Sequence, residues 1–128
     1  MTPAEYLEAV IDRISEGPII SRSRMIREYS NPNKAHIRAR VTFVDDSYLE
    51  FYEYVEQMAD GAINVKTYAY HWADEKDNLI RRWDNTPHFP KLENFPHHIH
   101  TGSADKVIPG GPVNIFAILD EIAASFDV

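Results

Sequence analysis

Histidine and arginine crowd into one short stretch of the chain. "RRWDNTPHFPKLENFPHHIH", residues 81 to 100, holds four of the six histidines, and a fifth stands just upstream in "YAYHW". Imidazole titrates near pH 6.5, so at cellular pH it serves as either base or acid. Guanidinium stays charged and grips phosphate with a planar fork. Metal-free RNA cleavage needs those parts: a base for the 2′-hydroxyl, an acid for the leaving oxygen and a cation on the phosphorane. The stretch therefore suggests phosphodiester chemistry, with His71, Arg82, His88 and His98 as catalytic candidates and Asp84 as the carboxylate that orients a histidine. Tyr70, Arg81, Trp83, His97 and His100 are the substrate-binding candidates.

Other roles compete for the same residues. Asp84-Asn85 before Thr86-Pro87 is turn chemistry, because Asp and Asn side chains bond their own backbone. On an extended "FPHHIH", His98 and His100 point to one side and His97 and Ile99 to the other. Two histidines so spaced make half of a zinc or iron site, with His71 or His88 as a third ligand. The spacing is generic and no H-E-x-x-H or EF-hand pattern accompanies it, so no cofactor is expected and zinc is the alternative. Tyr, Trp and Arg on a sheet face also form ordinary solvated surfaces.

The elements that must position these residues can be read from periodicity. Thr2-Pro3-Ala4-Glu5 reads as a capped helix start, and Tyr6, Leu7, Val10, Ile11 and Ile14 follow as one apolar stripe up to Gly17-Pro18. Residues 19–29 are β-compatible. "HIRARVTFV" then alternates, with Ile37, Ala39, Val41 and Phe43 on one face and His36, Arg38, Arg40 and Thr42 on the other. "YLEFYEYVE", "INVKTYAYHW" and "LIRRW" follow, separated by "DDS", "ADG" and "DEKDN" turns, and "HHIH" adds a short strand after a proline-broken loop. Ile115, Phe116, Ile118, Leu119, Ile122 and Phe126 form a second helical stripe. The expectation is one α+β domain over 1–128: an N-terminal helix, an antiparallel β-meander, and a C-terminal helix packed on one face of a curved sheet. Folding the hairpin about residues 74–78 brings His71 opposite or diagonal to Arg82 or Arg81. Which of the two arginines it faces is open.

With 128 residues, no cysteine and a net charge of −7, disulfides and thiolate chemistry are excluded and broad nucleic-acid binding is disfavoured. The charge is polarised, however. Arg22, Arg24, Arg27, Lys34, Arg38 and Arg40 cluster in one sector, and every charge from Asp45 to Asp60 is acidic. No signal peptide or membrane span is legible, so a cytoplasmic location is expected. Walker, Rossmann, nucleophile-elbow and helix-turn-helix signatures are missing.

The run from Tyr68 to Gly102 resembles the TumE-like proteins, small prokaryotic toxins of toxin–antitoxin pairs. The matching blocks are Tyr68, Tyr70, His71 and Trp72; then Arg82, Trp83, Asp84, Asn85, Pro87 and His88; then Phe95, Pro96, His97, His98 and His100. "RARVTFVDDSYLEFYEYV" and "NIFAILDEI" extend the likeness over roughly residues 36 to 123. The resemblance implies a cognate antitoxin with a DNA-binding domain and RNA as substrate, with a homodimer left open. The residue roles above rest on chemistry and not on the resemblance. One departure stands out: "PHF" replaces an expected "PHH", so Phe89 occupies the place of a second histidine. A non-catalytic metal- or protein-binding module is the rival reading.

Overall fold

The first helix starts where the capping residues place it. Thr2 Oγ1 accepts from the Glu5 N–H and the Glu5 carboxylate accepts from the Thr2 N–H, a reciprocal pair that satisfies two otherwise orphaned donors. The computed structural model describes residues 1–102 and 106–126. Within them α1 (Pro3–Ser15) precedes seven strands, β1 (Ile20–Ser30), β2 (Lys34–Phe43), β3 (Tyr48–Gln57), β4 (Ile63–Ala73), β5 (Leu79–Asp84), β6 (His98–Thr101) and β7 (Val107–Pro109), and α2 (Ile115–Ala124) closes the order. The α+β expectation holds, with more strands than the meander first read. Each strand pairs antiparallel with its chain neighbour, in the order β1 to β7. β7 went unread because three residues ending in proline carry no periodic signal.

Asx turns set the hairpins. Asp45 Oδ1 accepts from the Ser47 N–H, and Asp74 Oδ1 accepts from Lys76 and Asn78. Asp46 and Asp77 take the left-handed backbone that Asp tolerates. Past the end of β5, the Asn85 side chain accepts from Tyr68 N and donates to the Lys66 carbonyl, continuing the ladder as a strand would. Gly102 has no substitute here, because an added Cβ would lie 2.1 Å from the Leu79 carbonyl oxygen.

Alternation splits the sheet into two faces. Ala35, Ile37, Ala39, Val41 and Phe43 of β2 meet Leu49, Phe51 and Val55 of β3 and the stripes of both helices in one core. Tyr6 packs edge-on against Phe116, and Phe43 against Phe126. In that apolar layer lies a carboxylate, Glu53, with no exposed surface. It accepts from the Tyr6 hydroxyl on α1, the Tyr70 hydroxyl on β4 and the Ile115 N–H at the first turn of α2. Burial raises its pKa above the ordinary carboxylate range, and the three donors pull the other way. The positive end of α2 adds to their pull.

Removing that acceptor leaves three buried donors unpaired, each worth about 1–3 kcal/mol. Glu53→Ala is expected to lower the unfolding free energy by at least about 3 kcal/mol in urea titrations. Glu53→Gln, which keeps an acceptor and lets the Tyr6 hydroxyl turn to accept, should lose clearly less. Equal losses would show that packing, not hydrogen bonding, holds this junction.

Candidate active site

The opposite face of the sheet is bare of helices and polar. Register places its side chains in rows, since opposed residues on antiparallel neighbours share a face. One row runs Arg24, Arg40, Glu50, His71, Arg82, His100 across six strands. The adjacent row runs Arg27, Arg38, Tyr52, Ala69, Asp84, His98. The question of which arginine faces His71 is thereby answered: Arg82 does, and Arg81 pairs with Trp72.

Asp84 is the hub. Its side chain is 5% exposed. Oδ2 accepts from Arg82 Nε at 3.0 Å and lies 3.6 Å from His100 Nε2, while Oδ1 accepts from the Thr86 N–H at 3.1 Å. The turn role and the orienting role therefore coexist in one carboxylate. His98, 1% exposed, sits 2.8 Å from Oδ1 through Nε2. Its Nδ1 is 2.9 Å from the Pro96 carbonyl, which can only accept, so Nδ1 carries a proton. Despite that closeness, Nε2 forms no hydrogen bond.

Arg82 is held from two sides. Besides Asp84, its Nη1 donates to His71 Nδ1 at 3.3 Å, since guanidinium has nothing to accept with. His71 is half-buried, and its pKa is lowered first by that burial and then by the Arg82 charge, against the opposing pull of Glu50 and Asp77. His100 is also lowered, again mainly by burial, with Asp84 opposing. Arg38, Arg40, Tyr48, Glu50, Ala69, His71 and Arg82 border a cleft of about 410 Å³. A second cleft of about 600 Å³ continues it past Arg22 and Arg24, sharing Arg40 and Tyr48. The Arg40 guanidinium lies 3.7 Å from the centre of the Tyr48 ring.

Not every candidate comes to this face. Tyr70 and Trp83 are buried on the helix side, Tyr70 as a donor to Glu53. Arg81 shares that side, 5.9 Å from the Trp83 ring centre. His97 stacks on Tyr68, its Nδ1 2.9 Å from the Tyr68 hydroxyl, in a different cleft near Pro112 and Asn114. His88 is exposed on the loop after β5, near enough to depress the His100 pKa. Phe89 lies edge-on to His98 at 4.9 Å and to His100 at 6.0 Å, an apolar cover where a further histidine was expected. Tyr48, Glu50 and Tyr52 were missed as site-lining residues, although the alternation of "YLEFYEYVE" had already separated them from Leu49 and Phe51.

Asp84, His98 and His100 are, among the described residues, the group that could hold a metal, each offering one donor atom, all within 4.8 Å of one another. Among the described residues no helix is long and apolar enough to cross a membrane.

A seven-stranded antiparallel sheet, covered on one face and carrying an anchored histidine–arginine row on the other, defines an α+β protein with a polar cleft. The family model described as Toxin TumE matches residues 7–126, and the chain belongs to that toxin family. Such a toxin is one component of a toxin–antitoxin pair, so a cognate antitoxin is its implied partner. No curated protein and no solved structure is significantly similar to the chain.

The electrostatics of His71 can be read directly by NMR titration. Its pKa is expected below the ordinary value of about 6.5. Arg82→Gln should raise it by removing a depressing charge, and Glu50→Gln should lower it further. Shifts of the opposite sign would mean that these side chains do not neighbour the ring.

Proposed function

We propose that this toxin cleaves RNA through metal-free acid–base catalysis on the open sheet face. The observation that carries the reading is the row His71, Arg82, His100 on three successive strands. β4 and β6 flank β5, so the two histidine backbones stand about 10 Å apart. Arg82 lies between them, as a phosphate would require. The roles follow from contacts and burial. Arg82, held side-on by Asp84, turns its free N–H groups to the phosphate oxygens. That releases His71 Nδ1, whose lone pair takes the proton of the 2′-hydroxyl as the 2′-oxygen attacks phosphorus. His100, in its protonated form, gives a proton to the departing 5′-oxygen. A 2′,3′-cyclic phosphate and a 5′-hydroxyl end result. Asp84 and His98 are too buried to meet substrate and act as positioning residues.

Purified protein is expected to cut total RNA in the presence of a chelator, and RNA left intact would remove the reading. His71→Gln and His100→Gln should each lower kcat/KM by roughly 10² to 10⁴. The pH profile separates them. A base that must be deprotonated gives a rising limb and an acid that must be protonated gives a falling one. Because both pKa values are depressed in the free protein, the kcat/KM maximum should lie on the acid side of pH 6.5. His71→Gln should flatten the rising limb and His100→Gln the falling limb.

A second reading, a non-catalytic metal-binding module, is favoured by one observation: His98 Nε2, buried and without a hydrogen bond, lies 2.8 Å from Asp84 Oδ1 with His100 close by. Two imidazoles and a carboxylate suit zinc, and a backbone carbonyl on the far nitrogen is a usual support for a metal-bound histidine. About one zinc per untagged chain by elemental analysis, lost in His100→Ala, would support it. Chelator-insensitive RNA cleavage by metal-free protein would sink it.

A further inference from the structure

The open face does not end at the His71–Arg82–His100 row. Two residues further along β2 and β3 in each step, the polar rows give way to aromatic ones. Tyr29 of β1, His36 of β2 and Tyr54 of β3 are in register, with Tyr52 beside them. Together with Lys34 they line a cleft of about 320 Å³. The Tyr29 and His36 rings are stacked, with centres 5.3 Å apart and planes at 20°, and His36 lies 6.4 Å from Tyr52. Tyr29 is 46% exposed, although a tyrosine here could have been buried had the face been part of the core.

Arg38 stands between this cleft and the row, and Arg40 lies in the row itself; each is beside a tyrosine. The Arg38 guanidinium is 5.3 Å from the Tyr52 ring centre. Glu50 approaches both arginines at only 3.8 Å, and all three side chains are more than a third exposed. That pairing is weak and open to replacement by a phosphate. Aromatic faces alternating with guanidinium groups on an exposed sheet are what unpaired nucleotides require. Bases stack on the rings irrespective of sequence, and the backbone follows the cations. A duplex hides its base faces and could not use the aromatic cleft. The charge contrast supports a nucleic-acid occupant: the chain carries −7 overall, yet in these rows Arg24, Arg27, Lys34, Arg38, Arg40 and Arg82 outnumber Glu50, Glu56 and Asp84, although Glu56 lies opposite Lys34 and accepts from the Tyr54 hydroxyl.

We infer that the cleft formed by Tyr29, His36, Tyr52 and Tyr54 is a nucleobase subsite for single-stranded RNA, which passes over Arg38 and Arg40 to reach the His71–Arg82–His100 row. The inference rests on the reading of that row as an RNA site and specifies its substrate as unpaired. His36 and Arg40 are four residues apart on β2, about 13 Å, and Arg82 lies three strands across from Arg40, roughly 14 Å, so the subsite and Arg82 are about 20 Å apart. A few extended nucleotides span that gap, so the subsite reads a base outside the scissile linkage.

The test is fluorescence anisotropy with a labelled, uncleavable eight-nucleotide 2′-O-methyl RNA, beside a duplex of the same sequence and an oligonucleotide with abasic positions. The full chain should bind the single strand more tightly than the duplex. His36→Ala and Tyr52→Ala should each weaken single-strand binding roughly tenfold, without weakening binding to the abasic oligonucleotide. Both side chains are only half-buried, and circular dichroism reports whether the variants keep the fold. Equal affinity for single strand, duplex and abasic probe would overturn the inference, as would variants that bind RNA normally but lose the cognate antitoxin. Cleavage is scored separately. Platform-dependent binding without cleavage would remove the proposed reaction and keep the subsite. Cleavage with platform-independent binding would do the reverse.

Discussion

One buried carboxylate fixes how the layers meet. Glu53 projects from β3 into the apolar layer and collects a donor from each helix and one from β4. Isolated carboxylates are very costly to bury, so the arrangement survives only when every donor is in place. The helices consequently have one seat on the sheet. Both lie on the same face, and the other is left open. Tyr70 belongs to this junction, which explains why a phenol adjacent in sequence to His71 takes no part in the cleft.

A second carboxylate organises the free face. Asp84 gathers Arg82, His98 and His100 from two strands and also closes the turn that follows β5. It pairs with the Arg82 charge and fixes the direction of that side chain. The remaining arginines have weaker counter-ions. Glu50 sits between Arg38 and Arg40 in high-dielectric surroundings, where ion pairs yield readily. Rigid cations near the histidines and displaceable ones further out form a gradient along a single surface, on a molecule whose total charge is negative.

Much of this was legible in the chain. The capping box, the apolar stripe of α1 and the alternation of β2 named their elements outright. So did the "DDS" and "DEKDN" turns. The candidate site was legible as a set of residue types but not as a set of neighbours. Period-two alternation alone could have divided it, because Tyr70 and His71, Arg81 and Arg82, Trp83 and Asp84, and His97 and His98 are adjacent pairs that must face opposite ways. The register needed more than pattern. Shifts between Met25 and Arg27, Tyr54 and Val55, and Trp72 and Ala73 change the pairing by one residue each time. Glu53 was hidden by its type: a charge in "EFYEYVE" reads as surface, although its phase matches Phe51 and Val55.

The strand order has a temporal consequence. Every strand lies beside its predecessor, so the sheet can zip up hairpin by hairpin as the chain leaves the ribosome, with few distant closures to wait for. Ile115 joins late, its amide completing the shell around Glu53, and Ile118, Leu119 and Ile122 of the same helix complete the core after it. Nascent chains shorter than that carry the whole histidine–arginine row on a sheet whose interior is still uncapped.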